Sequence, residues 1–118
     1  MRDDRKKSGT DGESLAVRRL QDEGLTILGR NYRFERGEID IVAQEGDEIV
    51  FVEVKARRTR AFGPPEEAVT ERKQVQIRRV AEGYLYEHSM EHCPCRFDVV
   101  AIIFDNGKAH IDHLKNAF

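Results

Sequence analysis
Four ionisable residues interrupt two otherwise apolar runs between Gly37 and Lys55: Glu38 and Asp40 in Gly37-Glu38-Ile39-Asp40-Ile41-Val42-Ala43-Gln44, and Glu53 and Lys55 in Ile49-Val50-Phe51-Val52-Glu53-Val54-Lys55. The β-branched runs flank Gly46-Asp47, the composition of a two-residue hairpin turn with glycine first. In that register Glu45 faces Glu48, Asp40 faces Glu53 and Glu38 faces Lys55. Side chains alternate along a strand, so the four charges share one face while Ile39, Ile41, Val52 and Val54 share the other. Two carboxylates opposed at about 4 Å repel by roughly 4 kcal/mol at an effective dielectric near 20, an upper figure once solvent relaxes. A divalent cation between them reverses that sign, because hard cations take carboxylate oxygens. The competing account is a solvated charged strand face, with Glu38 and Lys55 forming an ordinary cross-strand pair.

The elements around this hairpin are legible from their periodicities. Residues 1–9 are polar and without periodicity, which predicts a mobile N-terminal arm followed by a single domain over 10–118. A helix is expected from Thr10 to Gly24, with Glu13, Ala16, Val17 and Leu20 on one stripe. Two roles compete for Glu13. It stands three residues after Thr10, as in a capping box, and it also leans toward the sheet that carries Asp40 and Glu53.

Leu25 to Arg33 reads as a strand with a bulge at Gly29, completing a three-stranded antiparallel meander with the hairpin. After Lys55 comes a basic loop, Ala56 to Pro65, whose prolines stop the strand; a short helical turn is expected over Glu66 to Val69. A second helix runs from Thr70 to about Tyr86 on an apolar stripe of Ile77, Val80, Ala81, Tyr84 and Leu85. That stripe meets Lys73 and Gln74 one turn earlier, either as accessory site residues or as snorkelling stems at the core edge. Arg96 to Phe104 has the composition of a strand buried on both faces, with Asp98 expected to pair with a nearby arginine. Asp105-Asn106-Gly107-Lys108 then marks a type I′ turn into a last strand over Ala109 to Leu114. The order is helix, three strands, helix, two strands.

Composition bounds the function. A chain of 118 residues with 39% apolar content supports one core. No apolar run is long enough for a membrane span, and nothing apolar follows the charged start, so a cytoplasmic protein without a membrane partner is expected. Cys93 and Cys95, two apart around Pro94, suit neither a disulfide framework nor, with His88 and His92, a standard zinc spacing, and reduced thiols are expected. The net charge is −2, so any affinity for nucleic acid must come from charge placement. Arg57, Arg58 and Arg60 after the third strand, and Arg72, Lys73, Arg78 and Arg79 in the second helix, are the placements on offer.

An acid in the first helix, an acid in the second strand and Glu-x-Lys in the third resemble the PD-(D/E)xK nuclease superfamily. More closely, Gly12-Glu13, Asn31-Tyr32-Arg33, Gly37-Glu38-Ile39-Asp40, Phe51-Val52-Glu53-Val54-Lys55-Ala56-Arg57, Phe62-Gly63 and Arg96-Phe97-Asp98-Val99-Val100 resemble the small bacterial YraN-like family, itself related to archaeal Holliday junction resolvases. The resemblance implies an α/β restriction-endonuclease-like core, a central mixed sheet flanked by helices. It implies Asp40, Glu53 and Lys55 as catalytic residues, and Asp40, Glu53, the Val54 carbonyl and Glu13 as holders of Mg²⁺ or Mn²⁺. The superfamily's proline before the aspartate is absent here, Ile39 standing in its place. The implied activity is metal-dependent DNA endonuclease, with Arg57, Arg58, Arg60 and Lys73 against the DNA backbone, Glu38 and Gln74 as accessory residues, and a homodimer where the substrate is a symmetric junction. Backbone contacts position DNA without reading its sequence, so a junction, flap or single strand is the expected target. The alternative is a non-catalytic module that binds nucleic acid or protein on the same fold.

Overall fold
The computed structural model describes residues 4–58 and 69–118, with side chains of the first helix from Gly12 onward. The elements are α1 (Asp4–Asp22), β1 (Thr26–Phe34), β2 (Gly37–Glu45), β3 (Glu48–Arg57), α2 (Glu71–Glu87), β4 (Cys95–Asp105) and β5 (Lys108–Leu114). They form one five-stranded sheet in the order β1-β2-β3-β4-β5, antiparallel except for the parallel β3–β4 pair that α2 connects. This is the α/β mixed-sheet order expected from the sequence. Of the helical turn expected over Glu66 to Val69 only Val69 is described, and Arg60 and most of the basic loop lie outside the described residues.

The turns follow from local chemistry. Gly46 has φ 62°, as the first central residue of a II′ turn requires, and Asn106 and Gly107 have φ 50° and 77°, the pair of left-handed residues of a I′ turn. Helix α1 closes at Gly24, φ 96°, where Leu25 N donates to Leu20 O and Gly24 N to Gln21 O, a Schellman arrangement. In β1 the pairing skips Leu28 between Ile27 and Gly29, the bulge expected near the glycine. Helix α1 begins at Asp4, six residues before the expected start at Thr10 and within the stretch expected as an arm. Once nucleated, a helix extends at little cost through polar residues, which periodicity cannot register.

Each face of the sheet has its own core. Ala16, Leu20 and Leu25 cover Ile41, Ala43, Val50, Val52, Val100 and Ile102 on the α1 face. On the α2 face, Ile77, Val80, Ala81 and Tyr84 cover Ile39, Val42, Phe51, Phe97 and Val99. β4 is buried almost throughout, as a central strand covered on both sides should be. Helix α2 sits unusually close to the end of β1 and the start of β2. A Cβ on Gly83 would lie 2.6 Å from the Phe34 ring, and one on Gly37 2.4 Å from Val80 Cγ2, so both glycines are needed for the approach.

At the other end of the sheet a buried polar cluster ties β4 to its neighbours. Arg96 Nε bonds Asp98 at 3.0 Å, and its Nη1 reaches Glu45 and Glu48, both at 2.8 Å. His113 bridges Asp98 (Nε2, 2.6 Å) and Glu23 (Nδ1, 2.9 Å). Asp98 is thus paired with an arginine as expected, and more heavily than the sequence indicated. The Asp98 bond raises the His113 pKa, outweighing burial. Burial opposes ionisation of Asp98 and Glu23, yet the His113 bonds, joined by Arg96 and Arg19 respectively, leave both pKa values lowered.

The pH dependence follows from these directions. His113 contributes stability below the ordinary imidazole pKa of about 6.5 and loses it as pH rises through its raised value; Asp98 and Glu23 contribute above the ordinary carboxylate pKa of about 4 and lose it as pH falls through their lowered values. Urea midpoints should therefore fall more between about pH 6 and pH 9 in the wild type than in His113→Gln. Equal slopes would show that the cluster carries no protonation-linked stability.

Candidate functional site
The paired register of β2 with β3 runs from Glu45–Glu48 to Ile41–Val52, as the sequence dictates, and stops one step before Asp40. There the strands part. The amide of Val54 donates to Asp40 Oδ2 at 2.8 Å, so a side chain takes over where the ladder ends. The same level of β1 carries Asn31 at φ 54°, a left-handed residue that breaks the alternation. Arg30 reaches Glu13 on α1, whereas Tyr32, two residues on, packs edge-on against Tyr84 of α2 with centroids 5.0 Å apart. Their partners Ile41 and Ile39 divide between the α1 and α2 cores in the same way. Ile41, Val52 and Val54 share the α1 face as expected, but Ile39 does not join them: strict alternation does not survive the irregularity at Asn31.

Glu53, on the α2 face, is 4% exposed. Its Oε2 lies 3.4 Å from Lys73 Nζ, while Oε1 is buried without a hydrogen-bond partner. Burial and then the neighbouring Asp40 charge push the Glu53 pKa to about 7. Burial also raises that of Asp40, with the charges of Glu13 and Glu38 adding to it and the Val54 amide opposing. Lys55 is pushed down to about 8 by burial and by contact with Lys73. Lys73 is raised, the Lys55 contact and the Glu53 charge outweighing its burial. Two acids that resist ionisation thus stand beside a lysine that gives up its proton readily, the environment expected where a carboxylate pair awaits a cation.

Several residues are placed differently from the simple hairpin. Glu38 is not opposite Lys55, because the ladder has ended; its nearest cation is Arg33, 3.8 Å away across β1. Glu13 lies inside α1 rather than three residues from its start, so the capping-box role lapses. Its Oε1 accepts from Asn31 Nδ2 at 3.1 Å and from Arg30 at 3.5 Å, and its charge acts on Asp40. Lys73, grouped with the DNA-facing arginines from sequence, points inward to Glu53. The reason is local: Thr70 caps α2 by accepting from the Lys73 amide at 3.2 Å, which fixes the first turn against β3. Gln74 is turned away and donates to the Val69 carbonyl at 3.1 Å. Arg57 ends β3 and Arg58 follows it, both beyond Lys55 along the strand, and Arg78 lies over the Phe97 ring at 4.6 Å. Spacing along the chain does not reveal Arg30 and Asn31 as the partners of Glu13; the left-handed tendency of asparagine is the one local signal, and it points to the second.

Among the described residues no group of three or more His, Cys, Asp or Glu side chains converges into a complete metal cage. The donors that fit a cation are two carboxylates, Asp40 and Glu53, with an unsatisfied buried oxygen on the second. That set suits Mg²⁺, which uses one or two carboxylates and keeps much of its water.

A model of the uncharacterised protein family UPF0102 matches residues 12–102. A UPF0102 protein of Moorella thermoacetica is 46% identical over 97% of both chains. One of Rhodococcus opacus is 48% identical over 93% of this chain and 94% of its own, and one of Alkaliphilus oremlandii is 48% identical over 96% and 98%.

The crowded acids have a stability cost in the metal-free protein. Glu53→Gln keeps the side-chain shape and, above the raised Glu53 pKa of about 7, removes a buried negative charge beside the half-buried Asp40, so in EDTA at about pH 8 its thermal midpoint should rise by several degrees over wild type, about 1 kcal/mol or more. A lowered midpoint would show that the Lys73 pair outweighs the repulsion.

Proposed function
Because the chain belongs to the YraN-like family UPF0102, whose description names no reaction, we propose from its site that it is a metal-dependent DNA endonuclease acting on branched or single-stranded structures. The observation that carries this reading is the Glu53 carboxylate, buried beside Asp40 with one oxygen lacking any partner. Two acids kept together at a cost in stability suit a role in holding Mg²⁺ or Mn²⁺.

Asp40 and Glu53 would hold the ion with the Val54 carbonyl and water, Glu13 acting on Asp40 from α1. When bound, the ion supplies Lewis acidity toward the phosphate and lowers the pKa of a water. Lys55 orients the attacking water or stabilises the negative charge that develops on phosphate. Lys73 balances Glu53 in the metal-free protein and is placed to meet a phosphate once that charge is shared. Arg57 and Arg58 extend the cationic surface past the reacting bond, and Arg60 follows them in sequence. A homodimer suits a symmetric junction, and monomers suit a flap or single strand.

One observation favours a second reading, a binding module without catalysis. Lys73 already neutralises Glu53 at 3.4 Å, and no third acid completes a cage among the described residues. Metal binding separates the two. Calorimetric titration of the wild type with Mn²⁺ should give binding that Asp40→Asn and Glu53→Gln abolish. Incubation with branched DNA and Mg²⁺ or Mn²⁺ should give cleavage that Asp40→Asn and Lys55→Ala each reduce by about a hundredfold or more, with circular dichroism confirming the fold. Cleavage undiminished in either variant would remove the proposed site, and absence of acid-dependent Mn²⁺ binding would leave the module.

A further inference from the structure
The flank of α2 next to Lys73 faces the turn between β1 and β2 across a cleft of about 890 Å³. Arg72, Gln76 and Arg79 line it from the helix, and Phe34, Glu35 and Arg36 from the turn. The helical residues fall at i, i+4 and i+7 and so form one stripe, about 10 Å long at 1.5 Å per residue. Gln76 Nε2 donates to the Arg36 carbonyl at 3.3 Å and joins the two walls. Among the described residues no carboxylate lies within ion-pair distance of Arg36, Arg72 or Arg79. Glu35 is the one acid in the lining.

A chain with net charge −2 thus gathers three guanidinium groups around one concavity. Three like charges against the single acid of the described lining, Glu35, raise the free energy of the unliganded surface, and a polyanion lowers it. The cleft is also continuous with the candidate site. Arg72 adjoins Lys73 in the first turn of α2, and β2 runs from Gly37 at the cleft to Asp40, three residues or about 10 Å away. Phosphates on one strand recur about every 3.4 Å of helix axis, so the cleft lies within about three nucleotides of a bond placed at Asp40 and Glu53. Its walls suit a single strand: Arg guanidinium planes and the Phe34 ring offer stacking surface beside the charge.

We propose that this cleft is a track for the sugar-phosphate backbone of one DNA strand, gripped by Arg36, Arg72 and Arg79 at the same end of the sheet as Arg57 and Arg58. Its place beside a scissile bond rests on the nuclease reading; its affinity for DNA does not. Fluorescence anisotropy of a short labelled single-stranded oligonucleotide, titrated with the full chain in EDTA, measures binding without cleavage. The triple variant Arg36→Gln/Arg72→Gln/Arg79→Gln should weaken binding tenfold or more and reduce the log-log salt slope by about 2, near 0.7 for each phosphate released. The corresponding triple lysine variant should restore most of the affinity, and Arg18→Gln on α1 should leave it unchanged.

Binding by the triple glutamine variant within about twofold of wild type, with the same salt slope, would overturn the proposal. So would failure of the wild type to bind the oligonucleotide, or its displacement as readily by polyglutamate as by unlabelled DNA. The two readings fail separately. If Asp40→Asn binds like wild type and no DNA is cut with Mg²⁺ or Mn²⁺, but the triple variant still loses binding, the track stands and the nuclease reading falls. Cleavage together with undiminished binding by the triple variant is the reverse.

Discussion
The bond from the Val54 amide to Asp40 Oδ2, 2.8 Å long, is the interaction on which the site depends. A strand that leaves its partner strands an N–H in the interior, and an unsatisfied buried amide costs about 1–3 kcal/mol. Asp40 supplies the acceptor, so β2 and β3 can separate without that penalty. The separation lets a carboxylate lie between strands rather than on a flat face, with Glu13 approaching from α1 and Glu53, Lys55 and Lys73 gathered on the α2 side. Removing the acid would therefore remove both a candidate ligand and the acceptor that closes the fork.

The two helices contribute unequally to this arrangement. Helix α1 brings one acid, Glu13, held by Arg30 and by Asn31 in its left-handed conformation. Helix α2 brings a cation through a cap, since Thr70 fixes the first turn and Lys73 sits within it. Close packing at Gly37 and Gly83 then sets how near α2 lies to the β1–β2 turn, and so sets the width of the arginine-lined cleft. The far end of the sheet is locked differently, by the Arg96–Asp98–His113 cluster, in which every charged side chain faces an opposite charge although Arg96 Nη2 is left without a partner. At the far end the pairing holds Asp98 ionised, whereas near the fork Asp40 and Glu53 resist ionisation, the asymmetry expected of a stable scaffold that carries a site.

Much of this was legible in the residues. Gly46-Asp47 and Asn106-Gly107 fixed both hairpin registers because left-handed glycine turns leave little choice of loop length, and the apolar run of β4 announced a strand covered on both sides. The carboxylates and lysine of the centre were identifiable from type and spacing. What alternation could not deliver was the place where it ceases. The shift at Asn31 depends on a single residue taking φ 54°, and it moves Ile39 to the opposite core from Ile41 and ends the Glu38–Lys55 pairing. Periodicity did put Lys73 on the inward stripe of α2, but not its partner: that it meets Glu53 depends on how the capped first turn sits against β3, which no spacing within the helix records.

The charge inventory follows from the same geometry. A net charge of −2 is ill suited to a polyanion when spread evenly, but a sum over the chain carries no information about distance. Acids such as Glu23, Glu45, Glu48 and Asp98 pair with His113, Arg19 and Arg96 at the far end of the sheet, while Arg36, Arg72 and Arg79 border the cleft with no described carboxylate within ion-pair distance. Screening over a Debye length of about 8 Å at physiological salt confines each group to its own neighbourhood. The potential a ligand meets is therefore set by the nearest few side chains, and near the fork those are Lys55 and Lys73 beside the reluctantly ionised Asp40 and Glu53, with Glu13 and Glu38 facing Arg30 and Arg33.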